Sequence, residues 1–486
     1  MYKARVFAQK QRNPCLSYLY EYLCQPHPAK DRSRIVALDF FNSQSAPLAR
    51  DIPVFGLINE LQSNSDAQSI ASSSPGEIRK GRLLLIEDIS NLTMEELGNH
   101  YNIDPFFFAS YMQQAWRKTG TQSPSLCSLP SQEKKQNFLP LAYHRTLSFR
   151  RQNEPLSSML RNCNHQRKVV LLPSMQGQTI GLAQHCCSIL LIAKPKEEWI
   201  GIVLVDPAIT DDYLPSRHQG AIPADQHSVP YLGGCEDFIT HSPSNEPNLT
   251  IFPPFQGILD ELVHQWGQSA PTNFNVDAPT LASISYYPLK IVASEWVNYA
   301  SVMSFSIREY ELSSQKSGDL IAELEKLNVN LRLLQGWRRR VISTQAKIKR
   351  AIRFITFFSD NLKPNDDFKG LLEDYEFLKS EIGEYAKRLE AMVPLVTSAV
   401  ALIESRRSLV ETANVTRLTI LAMVFVPLSF VAGLFSMSDG YRPGGSLFWV
   451  YFAVAVPIVV VVGLVAKPPK TAIQTLRRRF NAFFKA

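Results

Sequence analysis

Two long uncharged stretches near the C-terminus dominate the hydrophobic pattern of the chain. Leu418–Phe435 contains eighteen residues without a charge, and Leu447–Ala466 contains twenty more. At about 1.5 Å per residue, a helix of either length covers a hydrocarbon core of about 30 Å. The eleven residues between them are polar and rich in glycine. The pattern predicts a transmembrane hairpin over residues 418–466; the alternative is a helix pair buried in a soluble core.

A helical period precedes the hairpin and begins near residue 286. Lys290–Ser313 is predicted as one helix, and two further apolar seams follow at residues 320–355 and 371–403. Sustained steps of four and three predict coiled-coil-like packing, against the preceding helix or against a neighbouring subunit. Only Pro394 and Pro427 interrupt residues 371–435, and proline kinks a helix without necessarily ending it. We therefore assign residues 286–417 to a long helical stalk that continues into the first span.

The N-terminal 205 residues have a mixed pattern. Helical segments broken at Pro105 are predicted over Thr93–Trp116, and the Ser- and Asn-rich residues 42–76 are predicted as loop. Runs of β-branched and aromatic residues predict strands at Arg34–Phe41, Arg82–Glu87, Tyr143–Phe149, Lys168–Leu172, Ser188–Ala193 and Trp199–Val205. Residues 1–205 are thus predicted to form an α+β domain. Residues 206–285 are predicted as a loop-rich mobile insertion that returns to the core, and its proline-rich part, 206–248, is a candidate site for a cytosolic protein partner.

Charge placement predicts the orientation in the membrane. The tail, residues 467–486, carries six Lys or Arg residues and no acid, whereas the loop between the two spans carries one Asp and one Arg. By the positive-inside bias, both termini face the cytosol or a topologically equivalent compartment. The membrane itself is a plasma membrane or an organelle membrane. The basic tail is expected to contact anionic lipid and not nucleic acid. The chain is thus predicted to be an integral membrane protein with two spans.

The sequence offers little support for an enzyme. We find no GxGxxG, P-loop, HExxH or GxSxG motif, and predict neither catalytic residues nor a covalently bound cofactor. His185-Cys186-Cys187 has the residue types of a metal cluster but lies in an apolar run. We interpret these three residues as part of a buried strand.

A second face of the predicted long helix consists of small or β-branched residues. This face has eleven residues, of which none is charged and six carry a hydroxyl: Ala401, Ser405, Ser408, Thr412, Val415, Thr419, Ala422, Val426, Ser429, Gly433 and Ser436. Small residues let transmembrane helices pack closely, so this face fits helix packing as well as a pore. Its continuation upstream of the membrane favours the pore. Val426 and Leu418 would then be apolar constrictions that gate the pore by dewetting.

Residues 425–438 resemble a known family. The sequence FVPLSFVAGLF followed by Ser436-Met437-Ser438 is similar to the end of the first membrane helix of CorA-type magnesium transporters and their ZntB relatives, F-x-P-L-T-F-x-x-G-x-[YF]-G-M-N. The segment Leu83–Phe108 also looks like the divergent fungal CorA-like branch. The resemblance implies a CorA-like fold: a cytosolic α+β domain, long helices and a closing two-helix hairpin. It further implies a homopentamer that moves Mg²⁺, with Val426 and Leu418 at the gate and Ser429 and Thr412 at polar pore positions.

One departure from the family pattern affects the expected selectivity. In the family, Asn amides form a ring that holds hydrated Mg²⁺ at the outer pore mouth, and this chain has Ser-Met-Ser in place of Gly-Met-Asn. A Ser438 hydroxyl is shorter and a weaker acceptor, while Asp439 beside it would attract cations. The predicted metal-contacting residues are Ser436, Met437, Ser438 and Asp439 at the outer mouth, Thr412, Thr419, Val426, Ser429 and Gly433 along the pore, and Leu418 at the gate.

Two functions remain open from the sequence. The first is a channel or transporter that moves Mg²⁺ or another divalent cation passively, with the ion as cargo. The alternative is a non-conducting CorA-like pseudo-transporter that serves as a membrane-anchored scaffold or sensor. The row of hydroxyls favours conduction, and the lost amides favour the scaffold.

Overall fold

The computed structural model covers the chain in two compact units. The first comprises Met1–Ser314 with Leu333–Met392, and the second comprises Gln315–Arg332 with Val393–Ala486. The structure describes residues 1–27, 31–42, 46–57, 79–113, 129–149, 158–175, 178–193, 198–209, 212–215, 224–225, 228–231, 257–313, 320–359, 366–436 and 447–466.

The first unit is built on one mixed sheet. Its eleven described strands are β1 Arg34–Phe41, β2 Leu48–Ile52, β3 Arg79–Glu87, β4 Phe138–Phe149, β5 Ser158–Arg161, β6 Lys168–Met175, β7 Gln178–Ile192, β8 Trp199–Val205, β9 Asp212–Pro215, β10 Ala224–Asp225 and β11 Ser228–Pro230. The order is β10-β9-β5-β6-β7-β8-β3-β1-β2, and β4 pairs with both β7 and β11. Only the β3–β8 pair is parallel among these described strands, with Leu84 opposite Ile202.

The predicted strands are present, and several segments contain more sheet than predicted, among them β5 and the first halves of β4 and β7. β2 lies inside residues 42–76, predicted as loop, and pairs with β1 through Ala37 and Arg50. Three short strands, β9 to β11, lie inside the predicted insertion 206–248 and pair with β5, β9 and β4. Residues 212–215, 224–225 and 228–230 therefore belong to the sheet, and the prediction of loop is wrong for them. Most of the remainder of 206–248, and with it the proposed partner contact, lies outside the described residues.

One face of the sheet is covered by short helices: α1 Tyr2–Arg12, α2 Ser17–Leu23, α3 Asn91–His100 and α4 Pro105–Met112, with a 3₁₀ turn at Pro14–Leu16. Ser90 caps α3 by accepting the Thr93 N–H at 3.2 Å, and Asp104 caps α4 by accepting the Phe106 N–H at 3.1 Å. Tyr2, Phe107 and Phe108 pack here with the strand residues Leu84, Ile86 and Leu204 in one buried cluster. A further short helix, α5, spans Pro130–Glu133.

Long helices cover the other face. They are α6 Ile258–Gln268 and α7 Leu281–Ser313, the latter continuing through Pro288. Glu295 of α7 pairs with Arg145 of β4 at 2.9 Å, and both side chains are buried. His144 of the same strand stacks on Tyr299 at 5.5 Å. The first unit is thus a sheet between two helical layers, which confirms the α+β prediction.

The structure describes three further helices: α8 Leu320–Ser359, α9 Asp366–Phe435 and α10 Phe448–Ala466. α9 continues through Pro394 and Pro427 over 70 residues, as predicted. In the first unit its apolar seam packs on α7, because Tyr375 Oη donates to the Leu289 carbonyl at 2.9 Å and Phe368 contacts Tyr286. α9 is long and apolar enough to cross a membrane, and α10 contains a shorter apolar helix, Phe448–Val462.

Candidate functional site

The predicted pore residues lie on the C-terminal part of α9. Thr412, Leu418, Thr419, Val426, Ser429 and Gly433 are within the helix and exposed, and Ser436 follows its end. The Ser436 N–H still donates to the Ala432 carbonyl at 3.0 Å, so the helical turn reaches this residue. Met437, Ser438 and Asp439 lie outside the described residues.

Contacts with α10 define one side of α9. Val431 and Ala455 are 2% and 1% exposed, and the Phe435 and Tyr451 rings meet edge-on with centroids 6.2 Å apart. Pro427 and Leu428 are half-buried on the same side of α9. This side is apolar and carries no hydroxyl group.

The hydroxyl-bearing face lies on the opposite side of α9. At about 100° per residue, Ala422 is about 180° from Val431, and Ser429 and Gly433 are each about 160° from it. All three residues are exposed. Helix α10 of the same chain therefore does not cover the predicted pore face, which is open to another molecule or to solvent.

Three threonines on this stretch donate their hydroxyl protons within the helix. Thr412 Oγ1 donates to the Ser408 carbonyl at 2.7 Å, Thr416 to Thr412 at 2.8 Å and Thr419 to Val415 at 2.8 Å. A hydroxyl that donates in this way keeps its two lone pairs for other donors. Thr412 and Thr419 can therefore accept hydrogen bonds from water on the exposed face. Such acceptors suit a cation that keeps its hydration shell.

Exposed bulky residues flank the hydroxyl-bearing face of the same helix: Leu421 lies about 100° from Ala422 in one direction, and Phe430 about 80° from it in the other. Leu421, Phe425 and Phe430 are 54%, 61% and 67% exposed, and Leu418 is 68% exposed. Upstream, Arg407 pairs with Glu411 at 2.9 Å on an exposed turn. The single chain therefore presents a small, hydroxyl-bearing surface with bulky apolar residues along both of its borders.

The His-Cys-Cys run is buried sheet, as predicted. His185, Cys186 and Cys187 lie in β7, and burial lowers the pKa of His185 and raises the pKa of Cys186 to about 11. His185 Nε2 is 3.0 Å from Arg161 Nη1. Among the residues that the structure describes, no group of three His, Cys, Asp or Glu side chains is placed to hold a metal ion.

The comparison with protein families decides which known proteins the helical part is similar to. Residues 277–467 match the family model described as CorA-like Mg²⁺ transporter protein. The matched region contains α7 to α10, and thus both predicted spans, but not the sheet. It agrees with the resemblance carried by residues 425–438, while the likeness to the fungal branch stays a prediction.

Similar solved structures were found, whereas the search of curated proteins gave no match. The CorA magnesium transporter from Methanocaldococcus jannaschii is 10% identical, with 90% of this chain and 98% of that chain covered. The full-length CmaX protein is 12% identical, with 90% of this chain and 99% of that chain covered. Both comparisons have a TM-score of 0.38, which is too low to support an argument about this chain.

Proposed function

We propose that copies of the chain assemble in a membrane and let divalent cations pass between them along the hydroxyl-bearing face of α9. The observation that carries this proposal is the position of that face. It is exposed, small and uncharged, and it lies about 180° from the side that contacts α10. The similarity of residues 277–467 to Mg²⁺ transporter proteins supports the same function.

The chemistry of the face suits a hydrated divalent cation. Mg²⁺ loses its water reluctantly and is commonly held through its hydration shell. Hydroxyl oxygens at Thr412, Thr419 and Ser429 would accept hydrogen bonds from that shell. A face without carboxylates would not trap the ion. The membrane potential, which contributes about 2.3 kcal/mol per charge per 100 mV, can therefore drive the ion through passively.

The middle of this path and its outer end differ in chemistry. Val426 and Leu418, both exposed on α9, would form apolar constrictions that close the path when water leaves them. At the outer end, the C-terminus of α9 near Ser436 carries the partial negative charge of the helix dipole. Asp439 and the hydroxyl of Ser438 would add to this attraction in place of the family's amides. We propose Mg²⁺ or another divalent cation as the cargo, because serine makes a less selective ring.

The assembly we propose has two spans per subunit and both termini in the cytosol. The arrangement follows from the basic tail and from the single Asp and Arg in the loop between the spans. A pentamer is implied by the family resemblance. The loss of both Gly and Asn around Met437 favours one competing function, a non-conducting scaffold or sensor with the same assembly.

Ion flux into liposomes tests the proposal against the scaffold. Purified full-length chain is reconstituted with an internal fluorescent indicator, and Mg²⁺, Ni²⁺, Co²⁺ or Zn²⁺ is added outside under an imposed potential. We expect cation entry, and expect Ser429→Leu to abolish it by filling the path. Ala453→Leu adds the same side chain on the exposed side of α10 and should conduct normally. Absence of flux for every cation would favour the scaffold, and equal flux in Ser429→Leu would show that the cations do not pass along this face.

A further inference from the structure

Helix α8 carries a basic face centred on an exposed isoleucine. Residues 333–358 contain seven Lys or Arg residues and no acid. Ile342 is 66% exposed, and Arg338, Arg339 and Lys349 are exposed with it. The spacings of four, three and seven residues place all four side chains on one side of the helix. Between described residues, Arg338, Arg339 and Lys349 form no ion pair.

The first part of α9 carries an acidic face with the same layout. Residues 373–384 contain five acids and one lysine. Phe377 is 63% exposed, with the exposed carboxylates of Glu373 four residues before it and Glu384 seven residues after it. Glu384 pairs with Lys387 at 2.6 Å, but both side chains are more than half exposed, so solvent screens this pair.

Each helix buries its other side within its own chain. On α8 the buried residues include Trp337, Val341 and Ile348, with Trp337 packed on Tyr299 of α7 at 5.7 Å. On α9 they include Tyr375 and Ile382, which are fully buried. The exposed apolar residue in each charged face is therefore not needed for the core of the subunit. Large apolar side chains ringed by charge are typical of surfaces that contact a partner.

We infer that the basic face of α8, centred on Ile342, docks on the acidic face of α9, centred on Phe377, of a second copy of this chain. The two faces are opposite in charge and equal in spacing. Each has a charged residue four positions before its central apolar residue and another seven positions after it. A contact between two different faces of one chain is heterologous, and repeated contacts of this kind form a ring when the rotation from copy to copy closes. A lipid surface would complement the basic face alone and would leave Phe377 exposed.

This inference goes beyond ion passage and needs only that the chain assembles with itself. In the proposed assembly it supplies a cytosolic contact that holds neighbouring subunits in one direction around the axis. The attraction between exposed opposite charges also weakens with salt, because the Debye length falls from about 10 Å at 0.1 M to about 3 Å at 1 M. The contact would therefore depend on ionic strength.

Photo-crosslinking of the full-length chain in liposomes locates the contact. Phe377 is replaced by p-benzoylphenylalanine, irradiated, and the products are separated by size and mapped by mass spectrometry. We expect a band of two chains, with the new bond in α8 near Ile342. Phe55, which is 71% exposed, provides the matched control, and the same replacement there should give no such bond. Absence of the two-chain band, a bond to α9 of the second copy, or capture of lipid or another protein alone would overturn the inference.

Charge reversal tests whether complementarity causes the contact. Arg338→Glu with Lys349→Glu should lower the two-chain yield about tenfold, because like charges then face each other. Adding Glu373→Lys and Glu384→Lys should restore it, and 1 M salt should weaken the wild-type contact. A reversed variant that crosslinks as well as wild type, or a combined variant that stays low, would contradict the inference. Flux measured on the same liposomes is independent: flux without this crosslink rejects the interface and leaves the proposed function intact.

Discussion

Arg167 and Asp206 form a two-point ion pair inside the first unit, with Nε–Oδ2 and Nη2–Oδ1 distances of 2.9 Å each. Neither side chain is more than 1% exposed. The same carboxylate accepts the Tyr111 hydroxyl and the Cys186 N–H, both at 2.7 Å. Asp206 thus ties β7, α4 and the residue that precedes β6 to the end of β8. Its partners compensate for the removal of two charges from water.

Removal of Asp206 should be costly. Asp206→Ala leaves the guanidinium of Arg167 buried without its anion, and we expect the free energy of unfolding to fall by about 3–5 kcal/mol. Asp277 forms an exposed pair with Lys80 at 2.9 Å, and Asp277→Ala should cost less than about 1 kcal/mol. Denaturant unfolding of full-length chain, followed by tryptophan fluorescence, compares the two. Equal losses in both variants would show that the buried pair contributes no more than a surface pair.

The stability of the first unit should depend on pH through Asp88. Burial raises the pKa of this carboxyl to about 7 from an ordinary 3.8; the Asn164 N–H bond opposes the shift and Asp206 adds to it. Between these two values the folded state binds the extra proton, so the contribution of Asp88 to stability falls as pH rises through this window. Its backbone is left-handed, with φ of 50°, a conformation that asparagine also tolerates. Asp88→Asn should therefore flatten the decline in unfolding free energy between about pH 4 and 7; an unchanged slope would contradict this assignment.

Gly81 should not tolerate a side chain. A Cβ built at this position of β3 lies 2.2 Å from the indole of Trp199, whose Nε1 donates to the Val276 carbonyl at 2.7 Å. Gly81→Ala should displace that ring and cost about 1–3 kcal/mol. Gly370 of α9 has no atom within 4 Å of a built Cβ, and Gly370→Ala should stabilise by about 0.5–1 kcal/mol through helix propensity. Thermal unfolding midpoints should move in opposite directions, and a shared direction would contradict the packing at Trp199.

A polar residue at the predicted constriction should increase ion leak. Val426→Ser keeps a small side chain but lets water remain, so we expect faster cation entry into liposomes at low driving force. Val424 is two residues away, 36% exposed and outside the hydroxyl-bearing face, so Val424→Ser is the matched control and should conduct as wild type does. Slower entry in Val426→Ser, or equal increases in both variants, would argue against a gate at this position.

The sequence predicted the elements whose pattern is independent of their neighbours. β1 and β8 have the predicted bounds, because β8 is an unbroken apolar run and β1, after Arg34, is apolar except at Asp39, which accepts a hydrogen bond from Arg82 of β3. α9 continues through Pro394 and Pro427, since long apolar seams outweigh single prolines. By contrast, β2 carries Arg50 and Asp51 at one edge of the sheet and β11 carries Pro230 at another, while β9, which is not an edge strand, ends at Pro215. Charge and proline are the usual features of edge strands, and in sequence they look like loop.

The candidate site could be predicted only in part, for a similar reason. The small residues of α9 are visible in sequence, but the side of the helix that α10 covers depends on packing between two helices. The Arg167–Asp206 pair joins residues 39 apart, and Asp206 appeared in sequence as the first residue of a loop. The charged faces around Ile342 and Phe377 were hidden because a heptad seam identifies the buried side of a helix and not what its exposed side contacts.

Thiol accessibility tests most directly whether the hydroxyl-bearing face lines a watery path. Ser429→Cys and Phe430→Cys place a thiol on adjacent residues, about 100° apart on α9. Each variant that conducts ions in liposomes is treated with a charged, membrane-impermeant thiol reagent. Wild type, treated in the same way, gives the extent of modification of the native cysteines. We expect modification and block of flux in Ser429→Cys and neither in Phe430→Cys. Block in Phe430→Cys with an inert Ser429→Cys would show that the water-filled side of α9 is the bulky one.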